Sequence, residues 1–98
     1  MNFDSFSDSL EAQTPPASAI AVLQSLWWEK KGDWQKAHDI VESLEDQSAA
    51  WVHAYLHRVE GDAWNADYWY RRAGKSRPSY TTDEEWSALV QHFLSFNP

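Results

Sequence analysis

The chain contains no cysteine. That absence removes disulfides, thiolate nucleophiles and thiolate-ligated metal sites, and it agrees with an expected cytoplasmic location. Positive charge is also scarce: eight Lys and Arg stand against fifteen Asp and Glu, for a formal net charge of −7. A protein that binds nucleic acid through the phosphate backbone needs the opposite balance, so nucleic acid is not expected as a partner. No apolar run approaches the roughly 20 residues of a membrane span, and the first seventeen residues carry Asp4, Asp8 and Glu11 where a secretory signal would be basic and then apolar. Neither a membrane nor a secretory route is expected. No segment alternates apolar and polar residues as a half-buried strand does.

Aromatic residues are plentiful. Seven Trp, four Tyr and four Phe in 98 residues supply a core for one small domain, since each ring buries about 150–250 Å². A chain of this length buries roughly 60–70% of its unfolded surface. The charges are unevenly placed: residues 33–46 hold Asp33, Asp39, Glu42, Glu45 and Asp46 against Lys36, whereas 71–77 hold Arg71, Arg72, Lys75 and Arg77 and no acid. A basic run of that kind complements a helix C-terminus, or else offers a contact to an anion or acidic peptide.

One phrase occurs twice. Gly32-Asp33-Trp34-Gln35-Lys36-Ala37 returns as Gly61-Asp62-Ala63-Trp64-Asn65-Ala66, a spacing of 29 residues. Each copy follows one helix-like stretch and opens another, which predicts two stacked helix-turn-helix units. The apolar spacing predicts a first helix from about Pro16 to Lys31, a second from the Asp33 cap to about Asp46, and a third from about Ser48 to Glu60. A fourth follows the Asp62 cap to about Gly74, and a fifth opens at a capping box read as Thr82-Asp83-Glu84-Glu85. The third is apolar over so much of its circumference that it should be central, and the fifth should close the open end of the stack. Residues 1–17, ending in Thr14-Pro15-Pro16, are expected as a mobile acidic tail; Phe3, Phe6 and Leu10 nevertheless share one helical face and would suit a short docking helix. Residues 18–98 are expected to form a single helical-repeat domain.

The second unit resembles a tetratricopeptide repeat. Ala66, Tyr70, Ala73 and Pro78 fall at the spacing of the Ala, aromatic, Ala and Pro of that repeat's second helix, Gly61-Asp62 at its turn, and Ala54 at the small position of its first helix, with His57 where a tyrosine is usual. The first unit keeps Trp28, Gly32 and Ala37 but has Val41 and Leu44 at the later positions, no closing proline, and a period about five residues shorter than the usual roughly 34. The stretch Ala66-Asp67-Tyr68-Trp69-Tyr70-Arg71-Arg72-Ala73 is also similar to the second helix of Sel1-like repeats. The chain further resembles a group of small bacterial proteins with Trp-Trp, Gly-Asp-Trp-x-x-Ala-His and Tyr-Trp-Tyr-Arg-Arg-Ala-Gly phrases, a likeness that implies no activity. These positions encode packing and imply an all-α stack of about five helices: two tetratricopeptide-like units and a C-terminal capping helix.

Three constellations are candidate sites. The resemblance implies a concave groove for an extended peptide, lined by Trp51, Tyr55 and Arg58 with Val22, Leu26 and Glu29; with only two units, the same aromatics also suit plain packing. Asn65, Tyr68 and Arg72, beside Trp64, share a side of the fourth helix and suit an anion, or receive the fifth helix. His53 and His57 lie one turn apart, with His38, Glu42 and Glu60 as further donors, so a metal site is the alternative to pH-sensitive packing. No His-Glu-x-x-His phrase is present, and no catalytic residue or cofactor is expected. The expected function is therefore a non-enzymatic module that binds a protein or peptide. The alternative is a metal- or small-ligand-binding protein, an enzyme included, centred on His38, His53 and His57. Self-association through Trp27, Trp64 or Trp86 is a third reading, which would make the chain a homodimer.

Overall fold

Two Gly-Asp turns organise the chain. In the computed structural model, which describes residues 1–96, six α-helices form among the described residues and no β-strand does. They are α1 (Phe3–Asp8), α2 (Ala21–Lys30), α3 (Trp34–Glu42), α4 (Gln47–Val59), α5 (Ala63–Arg72) and α6 (Thr82–Leu94), with a short 3-10 turn, Ser9–Glu11, after the first. At the end of α2, Gly32 has φ 95° and its N–H bonds to the Glu29 carbonyl while the Asp33 N–H bonds to that of Trp28. This left-handed glycine cap then passes directly into α3, because the Asp33 side chain accepts from the Lys36 N–H. The second turn repeats the device: Gly61 (φ 86°), Gly61 N–H to Arg58, Asp62 N–H to His57, and the Asp62 side chain capping Asn65. One glycine ends a helix and the next aspartate starts another.

The turns make α2 pack along α3 and α4 along α5. Helix α4 touches α2, α3, α5 and α6 and is the centre of the molecule, as its apolar circumference predicts. Helices α2, α4 and α6 also touch one another, and α3 and α5 flank α4. The main core gathers Leu23, Leu26, Trp27, Val52, Tyr55, Leu56, Trp86, Leu89 and Phe93 from those three helices, and a satellite of Ala54, Ala66 and Tyr70 seals α4 to α5.

Four boundaries differ from the sequence reading. Helix α2 starts at Ala21 rather than near Pro16, since Pro15 and Pro16 are followed by a turn closed by Ala19 N–H on the Pro16 carbonyl. Helix α3 ends at Glu42, and Asp46, expected within it, instead caps α4 by accepting from the Ala49 N–H. The capping box of α6 is one residue earlier: Thr81 and Glu84 exchange the two bonds, which frees Glu85 for the interior. The sixth helix, α1, lies within the segment expected as a mobile tail. Asn2 and Ser5 form its capping box, Phe6 is fully buried, and Phe3 and Phe6 meet the Trp86 ring at 6.0 and 6.1 Å. The Trp27 indole N–H donates to Ser9 Oγ (3.1 Å) and Lys31 Nζ to the Leu10 carbonyl (2.7 Å), which tie the segment to α2. The docking face of Phe3, Phe6 and Leu10 is thus the one in use.

Candidate functional site

The face expected to hold a peptide is covered by α6. Leu26 is fully buried, Tyr55 is 1% exposed, and the Tyr55 hydroxyl donates to Glu29 Oε1 at 2.5 Å. Trp51 is half-buried against His92 and Phe93 of α6, with Lys75 Nζ 4.3 Å from its ring centre. Arg58 donates to Glu85 Oε1 at 2.8 Å and to the Tyr80 carbonyl. The buried Glu85 carboxylate also accepts from the Tyr70 hydroxyl, at 2.8 and 2.6 Å on its two oxygens. Val22 lines a shallow apolar recess with Ile20, Leu44, Phe93 and Phe96. The six expected groove residues therefore come together with α6 seated over them. Burial and the carboxylate hydrogen bonds push both the Tyr55 and Tyr70 phenols well above the usual tyrosine range, so both stay protonated donors.

The second constellation divides. Asn65 turns back to Asp62, its Nδ2 donating to Oδ2 at 2.7 Å, and this bond, with that from the Asn65 N–H, holds the Asp62 carboxyl below its ordinary range. Tyr68 and Arg72 remain paired: Arg72 Nη1 donates to the Tyr68 hydroxyl at 3.1 Å, and its guanidinium lies 5.8 Å from the Tyr68 ring and 5.1 Å from the Trp69 ring. Trp64 stands parallel to Tyr68 at 6.4 Å and is 75% exposed. Among the described residues Trp64, Tyr68 and Arg72 are exposed, with Arg72 also bordering a recess lined by Glu42, Leu44, Glu45 and Asp46; α6 reaches α5 through Tyr70. Of the tryptophans considered for self-association, Trp27 and Trp86 are buried, the latter donating its indole N–H to the Leu26 carbonyl at 2.9 Å.

The histidines converge. His38 on α3 meets His53 and His57 on α4 with ring centres 4.6 and 5.4 Å away, and the latter two are 4.9 Å apart. One ring nitrogen from each can be chosen so that all lie within 4.8 Å of one another. Four residues of helix place His53 above His57 on one face, and the packing of α3 on α4 delivers His38. Trp69 stacks on His53 at 3.9 Å and Trp34 on His38 at 4.8 Å, so indoles wall the cluster on two sides. Glu60 Oε2 accepts from His57 Nδ1 at 2.6 Å. Among the described residues His38 Nδ1 is buried without a hydrogen-bond partner, and the nearest carboxylate oxygen, on Glu42, is 3.8 Å away. Burial, then the neighbouring His38 and His57, lowers the His53 imidazole from 6.5 to about 3, which keeps it neutral and able to offer a lone pair.

Sequence reasoning missed Glu85, Tyr70, Trp34 and Trp69 as site residues. Glu85 follows two other acids at the start of α6, where acids ordinarily complement the helix dipole, and only the one-residue shift of the cap shows it pointing inward. Trp34 sits four residues before His38, a spacing that could have signalled a stacked pair. No protein-family profile, curated protein or solved structure matches this chain.

Proposed function

We propose that the protein is a non-enzymatic interaction module that binds a protein or peptide segment, and that its contact surface is the outer side of α5 rather than the concave face. The carrying observation is the Trp64–Tyr68–Arg72 ridge, where an indole 75% exposed and a tyrosine 37% exposed stand in line with an arginine. Trp, Tyr and Arg are the side chains that most often dominate binding energy, and an exposed indole gains most by being covered. Arg72 is already held against two rings, so it loses little freedom on taking up a carboxylate. The α2–α3 and α4–α5 hairpins are then tetratricopeptide-like units, with α6 occupying the groove that such units leave free for a guest. Helix α6 brings its own apolar side and Glu85 to that groove and satisfies it internally.

The test is a pull-down from the source organism's lysate with the parent protein and a Trp64→Ala/Tyr68→Ala/Arg72→Ala variant. All three side chains lie on the surface, so the variant should keep its helicity and melting temperature. A partner retained by the parent and lost by the variant supports the reading. Identical catches from the two would overturn it.

A further inference from the structure

We propose that His38, His53 and His57 form a binding site for a divalent transition-metal ion of the zinc class, with Glu60 fixing the orientation of His57. The site adjoins the α5 ridge through Trp69, which stacks on His53 and lies against Arg72, but the proposal does not rest on what that ridge binds.

Four observations carry it. First, three imidazoles from two helices bring ring nitrogens within 4.8 Å of one another. With zinc–nitrogen bonds of about 2.0–2.1 Å, three tetrahedral ligand atoms stand about 3.4 Å apart, so binding draws the nitrogens closer and turns His53 and His57 out of their present stacked arrangement, in which their planes are 25° apart. Second, the Glu60 carboxylate can only accept, so the 2.6 Å contact requires His57 Nδ1 to carry a proton, and in the neutral ring Nε2 is then the atom with the lone pair. Carboxylate–histidine pairs of this kind orient metal ligands and raise their basicity. Third, among the described residues His38 Nδ1 is buried with no hydrogen-bond partner. A buried ring nitrogen without a partner costs stability, and a hydrocarbon ring would fill the same space without that cost. A metal ion taken up by the cluster supplies the missing role: bound through Nδ1 it satisfies that atom, and bound through Nε2 it makes Nδ1–H a stronger donor towards Glu42, 3.8 Å away. Fourth, the stacking indoles Trp34 and Trp69 hold the rings of His38 and His53 in place, which lowers the entropy lost on binding.

The donor set selects the metal class. Three neutral imidazoles without a thiolate suit zinc, nickel, cobalt or copper in the divalent state, and suit magnesium or calcium poorly, since those prefer oxygen. Three protein ligands leave a fourth tetrahedral position for water or a small ligand.

Zinc titration of tag-free, metal-stripped protein by calorimetry, repeated with cobalt(II) by absorption, tests the site. One equivalent should bind. His38→Gln should weaken binding at least tenfold, and Glu60→Gln, which keeps every ligand, should weaken it about 10–100-fold. His92→Gln, on an exposed histidine of α6, should bind as the parent does. Histidine-selective NMR of the unaltered protein covers the case in which a variant misfolds: zinc should move the imidazole signals of the three clustered histidines and leave that of His92. No binding at micromolar zinc, binding that survives both cluster substitutions, or movement of the His92 signal alone overturns the proposal and leaves the cluster as aromatic packing.

Discussion

Glu85 is 2% exposed and joins three helices, accepting from Arg58 of α4 and Tyr70 of α5 while belonging to α6. Removing it leaves the buried Tyr70 phenol without its acceptor and the Arg58 guanidinium without its counter-ion, with only the Tyr80 carbonyl to accept from it. Glu85→Ala should therefore cost about 3–5 kcal/mol, the range for breaking a buried pair, whereas Tyr70→Phe, which removes one donor, should cost about 1–2 kcal/mol. Urea denaturation followed by far-ultraviolet circular dichroism gives both values. A cost for Glu85→Ala no greater than that for an exposed acid such as Glu84 would show that the pair contributes nothing net. His53 predicts a pH effect of the metal-free protein. Its imidazole titrates near 6.5 when unfolded and near 3 in the fold, so the unfolded chain binds the extra proton between those values. Its contribution is complete above pH 6.5 and is lost as pH falls toward 3, with a slope of at most about 1.4 kcal/mol per pH unit. A His53→Gln variant should show a flatter dependence over the same window. Part of this was legible in the sequence. The one-turn spacing of His53 and His57 announces a shared face, but whether His38 joins them depends on how α3 lies on α4. Three acids in a row at 83–85 cannot be sorted into solvent, cap and core by spacing alone.

At the scale of the element, the Gly-Asp turns were the most legible feature, because local chemistry decides them. A left-handed φ requires glycine and a free first turn requires a cap, and both needs fall on adjacent residues. Among the described residues Gly61→Ala meets no atom within 4 Å, so its cost comes from the backbone alone and should be about 1–2 kcal/mol. Asp46→Ala should cost about 1 kcal/mol through the lost cap of α4. Thermal melts of the two variants would check both; no change for Gly61→Ala would mean that the turn relaxes to another form. The sequence pattern carries α3 on to Asp46 because Leu44 continues its apolar spacing beyond the point where the hydrogen bonding of the helix stops. The length of an apolar pattern is not the length of a helix. The first helix shows the same limit. Six residues do not hold a helix in isolation, and α1 exists because Trp86 provides a surface for Phe6 and Trp27 holds Ser9 just beyond its end.

For the whole molecule, the centrality of α4 and the two hairpins follow from the sequence pattern, but the position of α6 does not. An amphipathic helix of thirteen residues suits either a cap on the end of a stack or a filling for its groove, and the choice rests on Arg58, Tyr70 and Glu85, which lie far apart in sequence. Among the described residues no helix is long and apolar enough to cross a membrane. The docking of α1 can be tested at this scale. Phe6→Ala empties a fully buried site and should cost about 3–5 kcal/mol if α1 remains docked, or less if the helix detaches. Quenching of tryptophan fluorescence by iodide separates the two cases, since detachment uncovers Trp86 whereas a cavity does not.

The contact between α1 and α6 has a kinetic meaning as well. Stacks of helical hairpins ordinarily loosen from whichever unit has a neighbour on one side only, and melt inward by steps. Here the first helix grips the last, and the last lies across α2 and α4, so each hairpin is held by a strap belonging to a remote part of the sequence. Peeling one unit requires opening that clasp. The molecule should therefore come apart all at once, with hydrogen exchange in α2 and α4 proceeding at a common, global rate.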